Sequence, residues 1–245
     1  MKPSLVNDWL PNRCLLCGLP SGALNVCRGC RGDLPWVLNA CARCGDQLPT
    51  GCAGSECGNC RIELGCIDAV STALVYRYPV DRLVTQAKFR SRPECARALG
   101  ELLGVYLRAA SIRGSLRRPE LVVPVPLHRN RMIRRGFNQA EEIARPVATQ
   151  LGLRSLMRGC RRAVDTIEQT SLDGDARRKN IRGAFEVSGD VDGACVAIVD
   201  DVVTTGSTVV ELARTLRASG AAEVLVWAAT RAAIPALRVN ESSRD

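Results

Sequence analysis

The chain has 245 residues, 46% of them hydrophobic and 24% charged, which is ordinary globular usage and excludes a disordered tail protein or a fibre. Its longest apolar stretches, such as residues 194–199 and 224–229, are far shorter than the ~20 residues that span a bilayer. The first residues carry no apolar signal core, so a cytoplasmic protein without membrane insertion is expected. The net charge of +9 is unevenly placed: residues 108–182 hold 17 Arg/Lys and seven Asp/Glu, and the rest of the chain is close to neutral. Such a stretch attracts polyanions, whether nucleic acid, nucleotides or pyrophosphate. Aromatic residues make up only 4% of the chain, too few for a protein that relies on stacking platforms for bases.

Thirteen cysteines stand in the chain, nine of them between Cys14 and Cys60. Eight of these form the pairs Cys14/Cys17, Cys27/Cys30, Cys41/Cys44 and Cys57/Cys60. A CxxC turn sets two thiolates on one side of a tight knuckle, and two knuckles complete a tetrahedral four-cysteine site for Zn2+. Four knuckles in series fit up to two structural zinc ions better than a redox motif; iron–sulfur ligation is the alternative. The spacing favours one site from Cys14, Cys17, Cys27 and Cys30 and another from Cys41, Cys44, Cys57 and Cys60, and it leaves interleaved pairing open. Cys52 is an extra thiol, and Cys66, Cys95, Cys160 and Cys195 read as small buried hydrophobes. Residues 10–62 therefore form a zinc ribbon module that depends on metal for its fold.

Beyond the module the pattern changes. Residues 69–76 read as a strand, and residues 80–89 and 94–110 as helices, with Ala98, Leu102, Val105 and Leu107 as apolar positions of the second. Residues 112–119 are a basic turn, and residues 121–125 a short strand that ends in Pro-Val-Pro. Asn138 and Glu141 have capping-box spacing for a helix that ends near Gly152. Residues 158–182, Arg-rich and without period, read as a mobile loop. Residues 194–199 and 223–229 read as buried parallel strands, with an amphipathic helix over 207–218 between them. Alternating strands and helices mean an α/β domain with a parallel sheet over residues 63–235, followed by a polar tail over 236–245.

The chemistry concentrates in residues 196–209, VAIVDDVVTTGSTV. A buried strand ends in Asp200 and Asp201, then Thr204, Thr205, Gly206, Ser207 and Thr208 lead into a helix. Ligands of open α/β sheets sit at the carboxyl ends of strands. Small residues at a helix N-terminus offer backbone N–H groups and hydroxyls to a phosphate, while two carboxylates can accept from the vicinal hydroxyls of a ribose. The combined target is a ribose 5-phosphate. Neither GxxxxGK[ST] nor GxGxxG is present.

This stretch resembles the phosphoribosyl-pyrophosphate motif of type I phosphoribosyltransferases: apolar residues, two acids, a short spacer and Thr-Gly-x-Thr. VPVPLH at 123–128, RGFNQ at 135–139, Thr166 with Gln169, Arg177 with Asn180, and Ala184-Phe185 look like the ComF family of competence-associated proteins, as does the double zinc ribbon in front. The resemblance implies a type I phosphoribosyltransferase-like parallel sheet flanked by helices. It implies a ligand, phosphoribosyl pyrophosphate or a nucleotide, bound with Mg2+. It also implies a link to DNA uptake or nucleotide metabolism, with single-stranded DNA and other DNA-uptake proteins as partners. Asp200 and Asp201 would hold the ribose hydroxyls and Thr204–Thr208 the 5-phosphate. His128, Arg129 and Arg135 would face pyrophosphate, and Gln169 and Arg177 would belong to a lid over the reacting sugar. Lys88, Phe89 and Arg90 also look like a family position, although Lys88 reads equally well as an exposed helix residue. The alternative is a non-catalytic, zinc-dependent single-stranded DNA-binding protein that uses the fold as a ligand-sensing scaffold.

Overall fold

The fold comes from a computed structural model that describes residues 12–41, 43–49, 56–57, 60, 65–164 and 181–232. Among the described residues there are seven strands: β1 (Ala69–Val75), β2 (Leu121–Pro124), β3 (Arg154–Ser155), β4 (Cys160–Arg162), β5 (Phe185–Val187), β6 (Cys195–Val203) and β7 (Glu223–Arg231). The helices are α1 (Arg28–Gly32), α2 (Val80–Phe89), α3 (Pro93–Ile112), α4 (Arg129–Arg135), α5 (Gln139–Leu151) and α6 (Ser207–Ala218). Five strands make one parallel sheet in the order β1-β7-β6-β2-β3.

Strands buried on both faces must be apolar throughout, and Val196, Ala197, Ile198 and Val199 of β6 are all buried, as are Val224–Trp227 of β7. One face packs against α2, α3 and α5 through Leu83, Leu99, Leu103, Ile143 and Val147. The other packs against α6 through Val209, Leu212 and Leu216. From β2 the chain passes through α4 and α5 to β3. From β6 it passes through α6 to β7, on the opposite side. The winding therefore reverses between β2 and β6, which are neighbours, and a crevice opens outside their carboxyl ends.

The cysteine-rich residues straddle β1. Val26 and Leu34 join the α2/α3 face, whereas Leu48, Cys41 and Cys44 join the α6 face. Between them, residues 35–37 run antiparallel along the outer side of β1: Val37 donates to the Ala73 carbonyl at 2.9 Å and Val75 to that of Pro35 at 2.8 Å. Trp36 stacks on Tyr106 of α3 at 6.5 Å.

Several expectations need correction. Val105 is 37% exposed, so the apolar stripe of α3 runs through Leu99, Leu102, Leu103 and Leu107 instead. Residues 158–182 are not loop throughout, because β4 pairs antiparallel with β5 and the N–H of Ala163 bonds the Ala184 carbonyl. β6 continues through both acids to Val203, four residues past the apolar run. Cys95 and Cys160 are buried as expected, but Cys66 and Cys195 are only half-buried.

Candidate functional site

β6 keeps β2 as a partner only as far as Val199, which pairs with Pro124, while it keeps β7 through Val203. The Val125 N–H makes one last bond to the Val199 carbonyl, and Pro126 has no N–H with which to continue. From Asp200 onward, one side of β6 therefore faces the crevice.

Asp201 is buried and Asp200 half-buried. The Asp200 carboxylate folds back to accept from the Asp201 N–H at 2.8 Å. Burial, and then the neighbouring Asp201 charge, push the Asp200 carboxyl up to about 7, against the pull of Lys88, the Asp201 amide and Arg162. Lys88 reaches over from the last turn of α2, with its Nζ 3.0 Å from Asp201 Oδ2. Burial alone would lower the Lys88 pKa, but the charges of Asp201 and Asp200 outweigh it and hold the ammonium above its ordinary value. The reading of Lys88 as an exposed helix residue is thus overturned. Arg135, at the end of α4, lies over the ring of Phe89 at 5.9 Å.

After Val203 the chain turns through Thr204 and Thr205 into α6. Gly206 has φ 78, the left-handed region that glycine enters without penalty, and no side chain caps the helix. Among the described residues the first N–H groups of α6 thus have no side-chain partner, where its dipole favours an anion. The Thr205 and Ser207 hydroxyls lie 3.0 Å apart. Thr204 is exposed, and Thr205, Ser207 and Thr208 are half-buried. The loop, the two carboxylates and Lys88 thus come together at one end of β6.

His128 and Arg129 stand at the start of α4, just beyond the crevice. His128 is the N-cap, and its Nδ1 accepts from the Asn130 N–H at 3.3 Å. Asn138 caps α5 by accepting from Ala140, but it and Gln139 are buried rather than facing solvent: Asn138 Nδ2 donates to the Val125 carbonyl at 3.0 Å. Asn138 thereby ties α5 to the end of β2. The expected lid residues Gln169 and Arg177, together with Thr166, Asn180 and Cys52, lie outside the described residues.

The cysteines pair in series, not interleaved. The sulfurs of Cys14, Cys17, Cys27 and Cys30 lie within 4.8 Å of one another, and so do those of Cys41, Cys44, Cys57 and Cys60. Individual gaps are 3.8 Å for Cys17–Cys27, 3.5 Å for Cys41–Cys60 and 3.4 Å for Cys44–Cys57. Four sulfurs about 2.3 Å from a tetrahedral zinc stand about 3.8 Å apart, so both donor sets fit structural Zn2+. Burial alone would raise the Cys14 thiol, but the N–H groups of Cys27, Cys17 and Leu16 bring it down to about 6. Cys41, on the N–H groups of Cys57, Cys44 and Arg43, likewise ends at about 6 despite its burial. A thiolate held by amides is the state that a metal needs.

Residues 5–61 match the family model of a double zinc ribbon domain. Over 224 residues the chain is 36% identical to the DNA utilization protein YhgH of Salmonella typhi, covering 91% of this chain and 98% of the relative. It is 32% identical to competence protein F of Haemophilus influenzae, over 90% of this chain and 97% of that one. The chain belongs to the ComF family. Among solved structures, the ComF-family chain is similar to the glutamine phosphoribosylpyrophosphate amidotransferase of B. subtilis, with TM-score 0.40 and 20% identity over 59% of this chain and 30% of that one. No described helix is long and apolar enough to cross a membrane.

Two residues escaped or nearly escaped the sequence. Lys88 had a signal in composition: only three of 34 basic residues are Lys, so one placed at a helix end stands out. A compact point charge suits a single carboxylate oxygen, where the wider fork of Arg would not. Arg231, which ends the apolar run of β7 yet is 2% exposed, had no signal beyond its charge in a buried strand.

Proposed function

We propose that this chain binds phosphoribosyl pyrophosphate or a nucleotide in the crevice between β2 and β6. It would act there in the cytoplasm, in DNA uptake or nucleotide metabolism. The observation that carries the reading is the meeting of two carboxylates with an uncapped helix start at the reversal point of the sheet. Asp200 and Asp201 accept the ribose hydroxyls, and Thr204–Thr208 with the first N–H groups of α6 hold the 5-phosphate. Arg129, Arg135 and His128 face the pyrophosphate side.

The donor set fits Mg2+ in a limited way. Lys88 already engages Asp201 Oδ2 and the Asp201 amide engages Asp200 Oδ1, so among the described residues each carboxylate keeps one oxygen for a hydroxyl or a cation. Mg2+ is commonly held by one or two carboxylates plus substrate phosphates, and bound so it would neutralise the leaving pyrophosphate. Asp200 orients the sugar in its ionised form, and Lys88 holds the Asp201 carboxylate in place beside it. Departure of pyrophosphate leaves positive charge on the ribose, which the two carboxylates stabilise. The acceptor would be a nucleophile brought to the ribose C1.

The second reading, a single-stranded DNA-binding protein that uses the pocket for sensing, is favoured by α4. Four of its seven residues are Arg, and Arg129 and Arg134 are exposed. The names of the relatives, DNA utilization protein and competence protein, agree with DNA as a partner. Calorimetry with phosphoribosyl pyrophosphate and Mg2+ tests the first reading. Asp201→Asn should weaken binding by about 1–3 kcal/mol, and equal binding by both proteins counts decisively against it.

A further inference from the structure

β7 delivers two polar side chains to the loop that β6 carries. Thr230, fully buried, donates its hydroxyl to the Asp201 carbonyl at 2.9 Å. Arg231, 2% exposed, donates from one terminal nitrogen to the Val203 carbonyl at 3.0 Å and to the Thr204 carbonyl. Its other terminal nitrogen lies 3.8 Å from the carboxylate of Asp46. Asp46 stands two residues after Cys44, in the second cysteine cluster.

That cluster is itself anchored on β1. The Gly45 carbonyl accepts from the hydroxyl of buried Thr72, and a Cβ at Gly45 would stand 3.1 Å from both Thr72 and Val70. Cys41, Cys44 and Leu48 share one apolar cluster with Val203, Val209 and Val210, the residues on either side of the loop. The first cysteine cluster is attached elsewhere. It holds α3 through Asn25, whose backbone and side-chain N–H groups both reach Glu101 at 2.7 Å.

A buried guanidinium is costly unless its donors are met. Here one terminal nitrogen meets the two carbonyls from which the loop departs, the other lies at ion-pair distance from a carboxylate of the metal module, and Nε has no hydrogen-bond partner among the described residues. The planar fork spans these acceptors at once, and a lysine ammonium could not. We infer that Arg231 is a positioning residue, which couples the second cysteine cluster, when it holds its metal, to the conformation of loop 204–208. The zinc module then acts on the binding site as well as on the fold. Zinc at Cys41, Cys44, Cys57 and Cys60 fixes Asp46, Asp46 fixes Arg231, and Arg231 fixes the carbonyls from which the loop departs. Among the described residues the first cluster has no such route. The coupling to the loop stands on geometry alone; its effect on ligand affinity rests on the function proposed above.

The test compares full-length wild type with Cys57→Ser, Asp46→Asn, Arg231→Lys and Asn25→Ala. Three readouts are taken: zinc per chain, hydrogen exchange of amides 200–208, and calorimetric affinity for phosphoribosyl pyrophosphate with Mg2+. Cys57→Ser should lose about one zinc, speed exchange in 200–208 and weaken binding about tenfold, the low end of what outer-shell partners of a site usually contribute. Asp46→Asn should keep its zinc and still speed exchange in 200–208. Arg231→Lys should fail to restore slow exchange although it keeps the charge. Asn25→Ala, which loosens the first cluster, should leave amides 200–208 as in wild type. Unchanged exchange in Asp46→Asn, or the same increase in Asn25→Ala, overturns the coupling, even if Cys57→Ser does not fold. A wild type that binds no phosphoribosyl pyrophosphate overturns the proposed function instead, and the exchange data still decide the coupling.

Discussion

Removing the Lys88 ammonium should destabilise the fold, and the size of the effect follows from the geometry. Lys88 Nζ lies 3.0 Å from Asp201 Oδ2, with side-chain exposures of 26% and 11%. At that distance an effective dielectric of 20 gives an attraction of about 5 kcal/mol, which partial exposure reduces. Truncating one partner of a buried pair leaves the other charge unmet, at a cost of about 3–5 kcal/mol. Lys88→Met should therefore destabilise by about 3 kcal/mol, the low end of that range because Lys88 is partly exposed, which for a chain of this size lowers Tm by about 6–12 °C. Asp201→Asn removes the charge that Lys88 compensates, so the second substitution should cost much less once the first is made. A double-mutant cycle by urea unfolding at pH 8 measures the difference, and the coupling should be about 2 kcal/mol. Coupling below about 0.5 kcal/mol would show that the pair does not form, because independent sites differ by no more than that.

Asp200→Asn should stabilise the protein at pH 8 while weakening ligand binding. The folded carboxyl is raised from 3.8 to about 7, so the folded state binds more protons than the unfolded one between those values. Wild-type stability should then fall as pH rises through that window, by up to about 4 kcal/mol, and the advantage of the variant should vanish near pH 4. Stability profiles of the two proteins that run parallel would refute this. Elemental analysis of protein purified without added metal should find close to two zinc per chain, and a value near zero in folded protein would exclude structural zinc. Single-stranded DNA affinity should fall steeply with salt, and the double variant Arg134→Ala with Arg135→Ala should flatten the slope by about 1.4, some 0.7 for each phosphate no longer neutralised. Affinity that does not change with salt would assign the basic segment away from DNA.

The turn from β6 into α6 and the cysteine clusters were legible because each is built from neighbours in sequence. A CxxC knuckle and a strand–acid–acid–Thr-Gly-x-Thr turn carry their geometry locally. The strands were legible for a related reason, since burial on both faces demands an unbroken apolar run. What stayed hidden is contact between distant segments. Lys88 meets Asp201 across 113 positions, and nothing near Lys88 says which carboxylate it will find. The seven residues of α4 were missed because their arginines carry no apolar period and only the His128 cap and Gly136 delimit them. The continuation of β6 through Asp200 and Asp201 was missed because charged residues end an apolar run by composition, whereas pairing with β7 continues regardless.

The short segment 35–37 along the outer side of β1 has a consequence for the chain before metal arrives. A seven-residue strand with an uncovered edge is a template for pairing with another molecule, and proteins guard such edges with loops, charges or very short strands. The opposite edge, β3, is guarded by being only two residues long. β1 has no such defence of its own, and Pro35, Trp36 and Val37 that cover it lie between the two cysteine clusters. Stripping the zinc thus frees both ends of the cover at once. The metal-free protein should be lost to self-association through β1, at a rate that rises with concentration, before the sheet itself melts.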